Sequence, residues 1–238
     1  MRAPVPGANP RRTLAGLAAW VGLAAAAAAT AGCSDPSEEL ASSDPAVAIE
    51  ALRACRTRAG DDVAEKVARA VARPEPAVAA EAVRSLGRMR NPRAVRTLIR
   101  IASSAAEPRA TVRREAVVQL GRRRDDPDAV AALRQAVQAD ADPRVRAAAA
   151  TGLGWRRSPA DVPLLLEVAE TDADPMVQAC AVSAVERWVG LRFRYDPHAP
   201  PDARRRVLEQ VREMAMRTTG GPSKGHPEER GADEAIEP

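Results

Sequence analysis

The chain has 238 residues, a formal net charge of +4, three cysteines, two histidines and only 2% aromatic residues. That length allows one or two domains, and so few histidines and cysteines argue against a metal centre built from them. The scarcity of aromatic rings argues against stacking on a flat chromophore or on unpaired bases.

Residues 1–33 look like a bacterial lipoprotein signal peptide. Arg11 and Arg12 form a positive start, and Leu14 to Ala29 is an apolar run too short for a comfortable membrane span. The run ends in Thr30-Ala31-Gly32-Cys33, small residues before a cysteine, as in a lipobox. The resemblance implies cleavage after residue 32 and lipid on Cys33. Thr30 stands where the lipobox usually has Leu. Residues 33–43 then read as a polar, flexible tether. Ser34, not Asp, follows the cysteine. By resemblance to enteric sorting rules this favours an outer-membrane anchor facing the periplasm.

From residue 44 the sequence recurs. Aligning Val47, Val78, Val112, Val145 and Val177 gives spacings of 31, 34, 33 and 32 residues. Four residues after each Val stands an Ala (51, 82, 116, 149, 181), and eight after it an apolar residue: Cys55, Leu86, Leu120, Leu153 or Val185. Positions i, i+4 and i+8 share one stripe of an α-helix. Asp44-Pro45, Asp142-Pro143 and Asp174-Pro175 start such helices. Asn91-Pro92, Asp126-Pro127 and Ser158-Pro159 start second helices, because an N-cap side chain accepts orphan N–H groups and Pro at the first position forfeits no bond. The second helices carry stripes of their own, such as Val95, Leu98, Ile99 and Ala102. A helical hairpin repeated at this period buries its apolar face only against its neighbours.

This pattern resembles the short HEAT-like repeat, the type also seen in phycobilisome lyases. The resemblance implies an all-α, right-handed α-solenoid of about five stacked hairpins over residues 44–217. It says little about function, since such arrays serve as scaffolds, adaptors and occasional enzymes. The repeats fall at 44–73, 75–104, 108–139 and 142–171. The fifth has a first helix from Asp174 to about Val189, an insertion from Gly190 to Pro200, and a last helix at 202–217. Residues 218–238 read as a disordered tail with two bases and five acids. Residues 44–217 hold 31 bases and 24 acids, so the body is more basic than the whole chain suggests.

Several features are candidates for function. Arg93, Arg96 and Arg100 recur at i, i+3 and i+7 on a second helix, a stripe able to grip carboxylates if it faces the concave side. Trp155, at an expected inter-helix turn, and Trp188 and Tyr195, among Arg187, Arg192 and Arg194, are candidate contacts for a protein partner. Packing over the end of the array is the alternative for the last aromatic group, and pairing with neighbouring acids the alternative for the stripe. Cys55 and Cys180 fall in the first and fifth repeats, too far apart for a disulfide. No catalytic motif, metal site or cofactor is expected. The leading expectation is a non-enzymatic, membrane-anchored scaffold for a protein partner, an acidic one if the arginine stripe holds it. The alternative is a lyase-like enzyme or accessory factor of the bilin-lyase kind. Export and the missing aromatics argue against that alternative, and equally against nucleic acid or a small-molecule substrate.

Overall fold

The computed structural model describes residues 35–58, 60–103 and 105–220, the side chains of residues 219 and 220 excepted. The expected signal peptide, Cys33 and the tail beyond residue 220 lie outside the described residues. Among those described are eleven α-helices and no strand. After α1 (Pro36–Glu39) come five pairs: α2 (Pro45–Ala54) with α3 (Asp61–Ala70), α4 (Pro76–Arg88) with α5 (Pro92–Ala102), α6 (Ala110–Gly121) with α7 (Pro127–Ala139), α8 (Pro143–Arg156) with α9 (Val162–Thr171), and α10 (Pro175–Val189) with α11 (Pro201–Gly220). Successive first helices pack side by side, as do successive second helices. Each second helix also packs on the first helix of the following pair. The result is an α-solenoid of two layers.

The helices begin where side-chain caps demand it. The carboxylate or amide oxygens of Asp44, Asn91, Asp126, Asp142 and Asp174 each accept a backbone N–H of the first turn, with Pro next in line. The second helix expected to start at Ser158 begins instead as a 3-10 turn, Pro159–Asp161, before α9. The reason is tertiary. Asp161 is buried, and its carboxylate accepts from Arg134 Nε at 2.7 Å and from Arg156 Nη1 at 3.1 Å. Both arginines belong to the preceding helices, and the turn is what brings Asp161 to them.

The periodic stripe forms the core. Val78, Val112, Val145 and Val177, the five aligned alanines, and Leu86, Leu120, Leu153, Val185 and Cys55 are all buried. Val47 is the exception, 38% exposed, because no first helix precedes α2 to cover it. First helices approach one another at glycine. A methyl built on Gly121 would lie 3.0 Å from the Gly152 Cα, and one on Gly154 2.6 Å from the Ala184 Cβ.

The ends differ from the sequence expectation. Residues 35–43, read as a flexible tether, are folded onto the first pair. Leu40 is buried, Arg58 Nη1 donates to Asp35 Oδ1 at 2.7 Å, and Lys66 Nζ donates to Ser37 Oγ at 2.8 Å. A solenoid end exposes core that a capping segment must cover, and Leu40 does so here. At the other end the last helix runs to Gly220, beyond the expected residue 217.

Candidate protein-binding surfaces

On the first-helix layer the outward positions can be compared repeat by repeat. Three residues after the aligned Val stand Glu50, Glu81, Glu115, Ala148 and Cys180. Six after it stand Arg53, Arg84, Val118, Thr151 and Ser183. In the first three repeats these columns form an ion-pair ladder. Arg53 binds Glu50 at 2.6 Å, Arg84 donates twice to Glu81 at 2.9 and 3.0 Å, and Arg84 also reaches Glu115 of the next repeat at 4.0 Å. Glu81 is nearly inaccessible and is also held by Arg56. Burial pushes its pKa up, but Arg84 and Arg56 outweigh burial and hold the carboxyl below its ordinary value.

The ladder stops at repeat three. From there the same face carries an apolar groove of about 520 Å³ whose floor is Val118, Ala148, Thr151, Trp155, Met176 and Cys180. It crosses α6, α8 and α10. Met176 is 46% exposed, and Trp155 and Cys180 are half-buried. Two cations, Arg114 and Arg144, line the groove, and no acid does. Trp155 stands where the other repeats have Arg88, Arg122 and Arg187. It lies in the last turn of α8, not in a turn between helices as the sequence suggests. The helix runs through Gly152 and Gly154 because those glycines serve close helix packing. The indole packs beside Gly121, where even a methyl would sit in ordinary van der Waals contact with its ring at 3.6 Å.

Arg93, Arg96 and Arg100 are all exposed on α5, in the second-helix layer. Arg93 binds Glu65 of α3 at 2.8 Å, which is pairing between neighbouring repeats. Arg100 borders a smaller groove, about 190 Å³, between α5 and α7, with Gln135 and Asp140 on its walls. The stripe is therefore divided. One end is tied to the preceding repeat, and the other faces an inter-helix groove.

Trp188 and Tyr195 pack partly buried against the core. The Tyr195 hydroxyl and Arg204 Nη1 both donate to Gln178 Oε1 at 3.0 Å, and Gln178 Nε2 donates to the Asp172 carbonyl at 2.7 Å. Glu186 Oε1 accepts from the Phe193 amide at 2.7 Å. These contacts fasten the insertion onto α10 and roof the end of the array. Neither aromatic lines the groove at Trp155. Among the described residues no group of three or more His, Cys, Asp or Glu side chains could hold a metal ion, and no helix is long and apolar enough to cross a membrane.

A description of HEAT repeats matches residues 35–111 and 102–186, together more than half of the chain. No curated protein matches the sequence. Among solved structures, the complex of CpcE and CpcF of phycocyanin lyase from Nostoc sp. PCC7120 is similar at 24% identity, covering 63% of this chain and 95% of that one, with a TM-score of 0.48. An engineered protein is similar at 18% identity over 78% of this chain and 87% of its own, with a TM-score of 0.44. Human deoxyhypusine hydroxylase in complex with glycerol is similar at 15% identity, over 76% of this chain and 83% of that one, with a TM-score of 0.31. None of these three likenesses speaks to what the chain binds.

Proposed function

The chain belongs to the HEAT-repeat family, and from that premise we propose that it is a non-enzymatic protein-binding scaffold, held at a bacterial envelope membrane by lipid on Cys33. The observation that carries the binding role is the break in the surface pattern. Glu fills the first outward column through repeat three and its paired Arg the second through repeat two, and uncharged side chains replace them at Val118, Ala148, Thr151 and Cys180. A solvated face has no use for Trp155 and Met176 side by side in the open, whereas a protein interface does. Anchoring rests on Thr30-Ala31-Gly32-Cys33 after an apolar run. With Ser34 next, the outer membrane is the favoured site, with the array in the periplasm.

Affinity capture from detergent-solubilised envelopes tests both halves. The wild-type chain should carry acyl chains at residue 33 by mass spectrometry, partition into detergent, and enrich a protein partner. Cys33→Ser should lose acylation and partitioning while the soluble array still captures that partner. An intact Met1 in the mature protein sinks the anchoring. Failure of both forms to enrich any partner sinks the scaffold.

A further inference from the structure

We propose that the groove over Val118, Trp155 and Met176 is the docking site for an acidic, amphipathic segment of a partner protein. The proposal rests on the scaffold reading and names the surface and the chemistry of its occupant.

Three observations converge. The first is position. In the repeat register the groove occupies columns that are charged in the preceding repeats: Ala148 and Cys180 replace Glu50, Glu81 and Glu115, and Val118 and Thr151 replace Arg53 and Arg84. The substitutions coincide in adjoining repeats, so they make one continuous surface over α6, α8 and α10. The second is exposure. Met176 is 46% exposed, and the Trp155 indole is half open above Gly121. A half-buried aromatic beside an exposed thioether is a poor solvent surface and a good anchor pocket.

The third is charge. Arg114 and Arg144 line the groove with no carboxylate between them. Among the described residues Arg144 pairs only with Asp142, at 3.7 Å, and its side chain is 69% exposed. Arg114 is exposed and makes no ion pair among the described residues. An apolar floor beside two available guanidinium groups, both near the starts of their helices, fits a segment that presents Leu- or Ile-like side chains on one face and carboxylates beside them. An amphipathic helix does this at i, i+3, i+4 and i+7. Guanidinium groups favour carboxylates because they bind them bidentately. A cationic segment would meet like charge at Arg114 and Arg144.

The test uses the full-length chain in detergent and two synthetic 18-residue amphipathic peptides. Both carry Leu at helical spacing, with Glu at the remaining positions of one and Lys in the other. Binding is read by peptide anisotropy and by the blue shift of Trp155 emission in a background with Trp20→Phe and Trp188→Phe. The Glu peptide should bind, more weakly as salt rises, and the Lys peptide should not. Trp155→Arg restores the residue type of the other repeats and should weaken binding at least about tenfold, as expected for an anchor residue. Arg114→Glu with Arg144→Glu should do the same. Circular dichroism of each variant should match wild type. Met176→Glu serves as a second disruption should Trp155→Arg fold poorly.

Equal binding of the two peptides, or of wild type and Trp155→Arg, overturns the proposal. So does loss of binding on changing Arg93, Arg96 and Arg100 to Glu with Trp155→Arg silent, which would place the site on the other layer. If deletion of residues 221–238 by itself red-shifts Trp155, the chain's own tail is the occupant and the proposal fails. A dimer that Trp155→Arg dissolves makes a second copy the occupant, and the proposal fails in that case too. In envelope capture, a partner retained by Trp155→Arg leaves the scaffold standing and removes the groove from it.

Discussion

Arg113 and Asp140 meet inside the array with their side chains only 6% and 3% exposed. Arg113 donates twice to Asp140, each bond 2.8 Å, and to the carbonyls of Glu107 and Pro108. Asp140 also accepts the Asp142 amide at 2.9 Å. One repeat on, Arg146 and Asp172 repeat the arrangement at 2.7 and 2.9 Å, with the Asp174 amide added. Burial raises the pKa of each aspartate, but the arginine and the amide bond outweigh burial, and both carboxyls sit below their ordinary value. Removing one partner strands a buried charge. Arg113→Met should therefore cost about 3–5 kcal/mol in urea unfolding, and Arg113→Met with Asp140→Leu should recover most of it. A double variant no more stable than the single one would mean the pair is not what is lost. The pH dependence has a fixed sign. A carboxyl with a depressed folded pKa adds stability that is complete above its unfolded pKa and is lost as pH falls through the folded one. Asp140, Asp172 and Glu81 all have that sign. Unfolding midpoints should be flat through neutrality and drop as pH falls into and below the ordinary carboxylate range, and the drop should be smaller without Asp140.

At the scale of the helix, the stripe and the glycines set the spacing. Leu120 and Leu153 are buried in the middle repeats, and replacing either with Ala should cost about 2–5 kcal/mol. Gly152→Val should cost at least about 1–3 kcal/mol, because a methyl at Gly152 would lie 3.2 Å from the Gly121 Cα and 3.3 Å from Leu133. A neutral Gly152→Val would mean the first helices separate easily. Most of these elements are legible in the sequence because their causes are local. Asp-Pro fixes a start, and Val, Ala and Leu at i, i+4 and i+8 fix a buried stripe. What is not legible depends on partners distant in sequence. Asp161 takes up a 3-10 turn because arginines of earlier helices reach it, and residues 35–43 fold because Arg58 and Lys66 hold them. The groove lies between these cases. Trp155 stands out in the sequence, but its neighbours Val118 and Met176 emerge only when outward columns are compared across repeats. Trp188 and Tyr195 stand out equally, and in the structure they fasten the end of the array.

The whole molecule is a row of pairs in which stability comes from each pair and its neighbours, so the two ends carry their own covers. Residues 190–200 and α11 roof one end, and residues 35–43 cover the other. That second cover sets a length. With lipid on Cys33, only Ser34 separates the anchored residue from the docked Asp35, a reach of about 7 Å at full extension. If residues 35–43 come away from α3, the same chain spans about 35 Å. Were Cys33 lipidated as proposed, the segment would be a leash with two settings, short while Leu40 is seated and long once it is released. In lipid vesicles, a dye at position 69 should be quenched strongly by bilayer acceptors in the wild type. Leu40→Ser together with Lys66→Ala should relieve that quenching while leaving the helical signal in place. Equal quenching in both would mean the leash has one length, and that the height at which the array stands above the bilayer is set elsewhere.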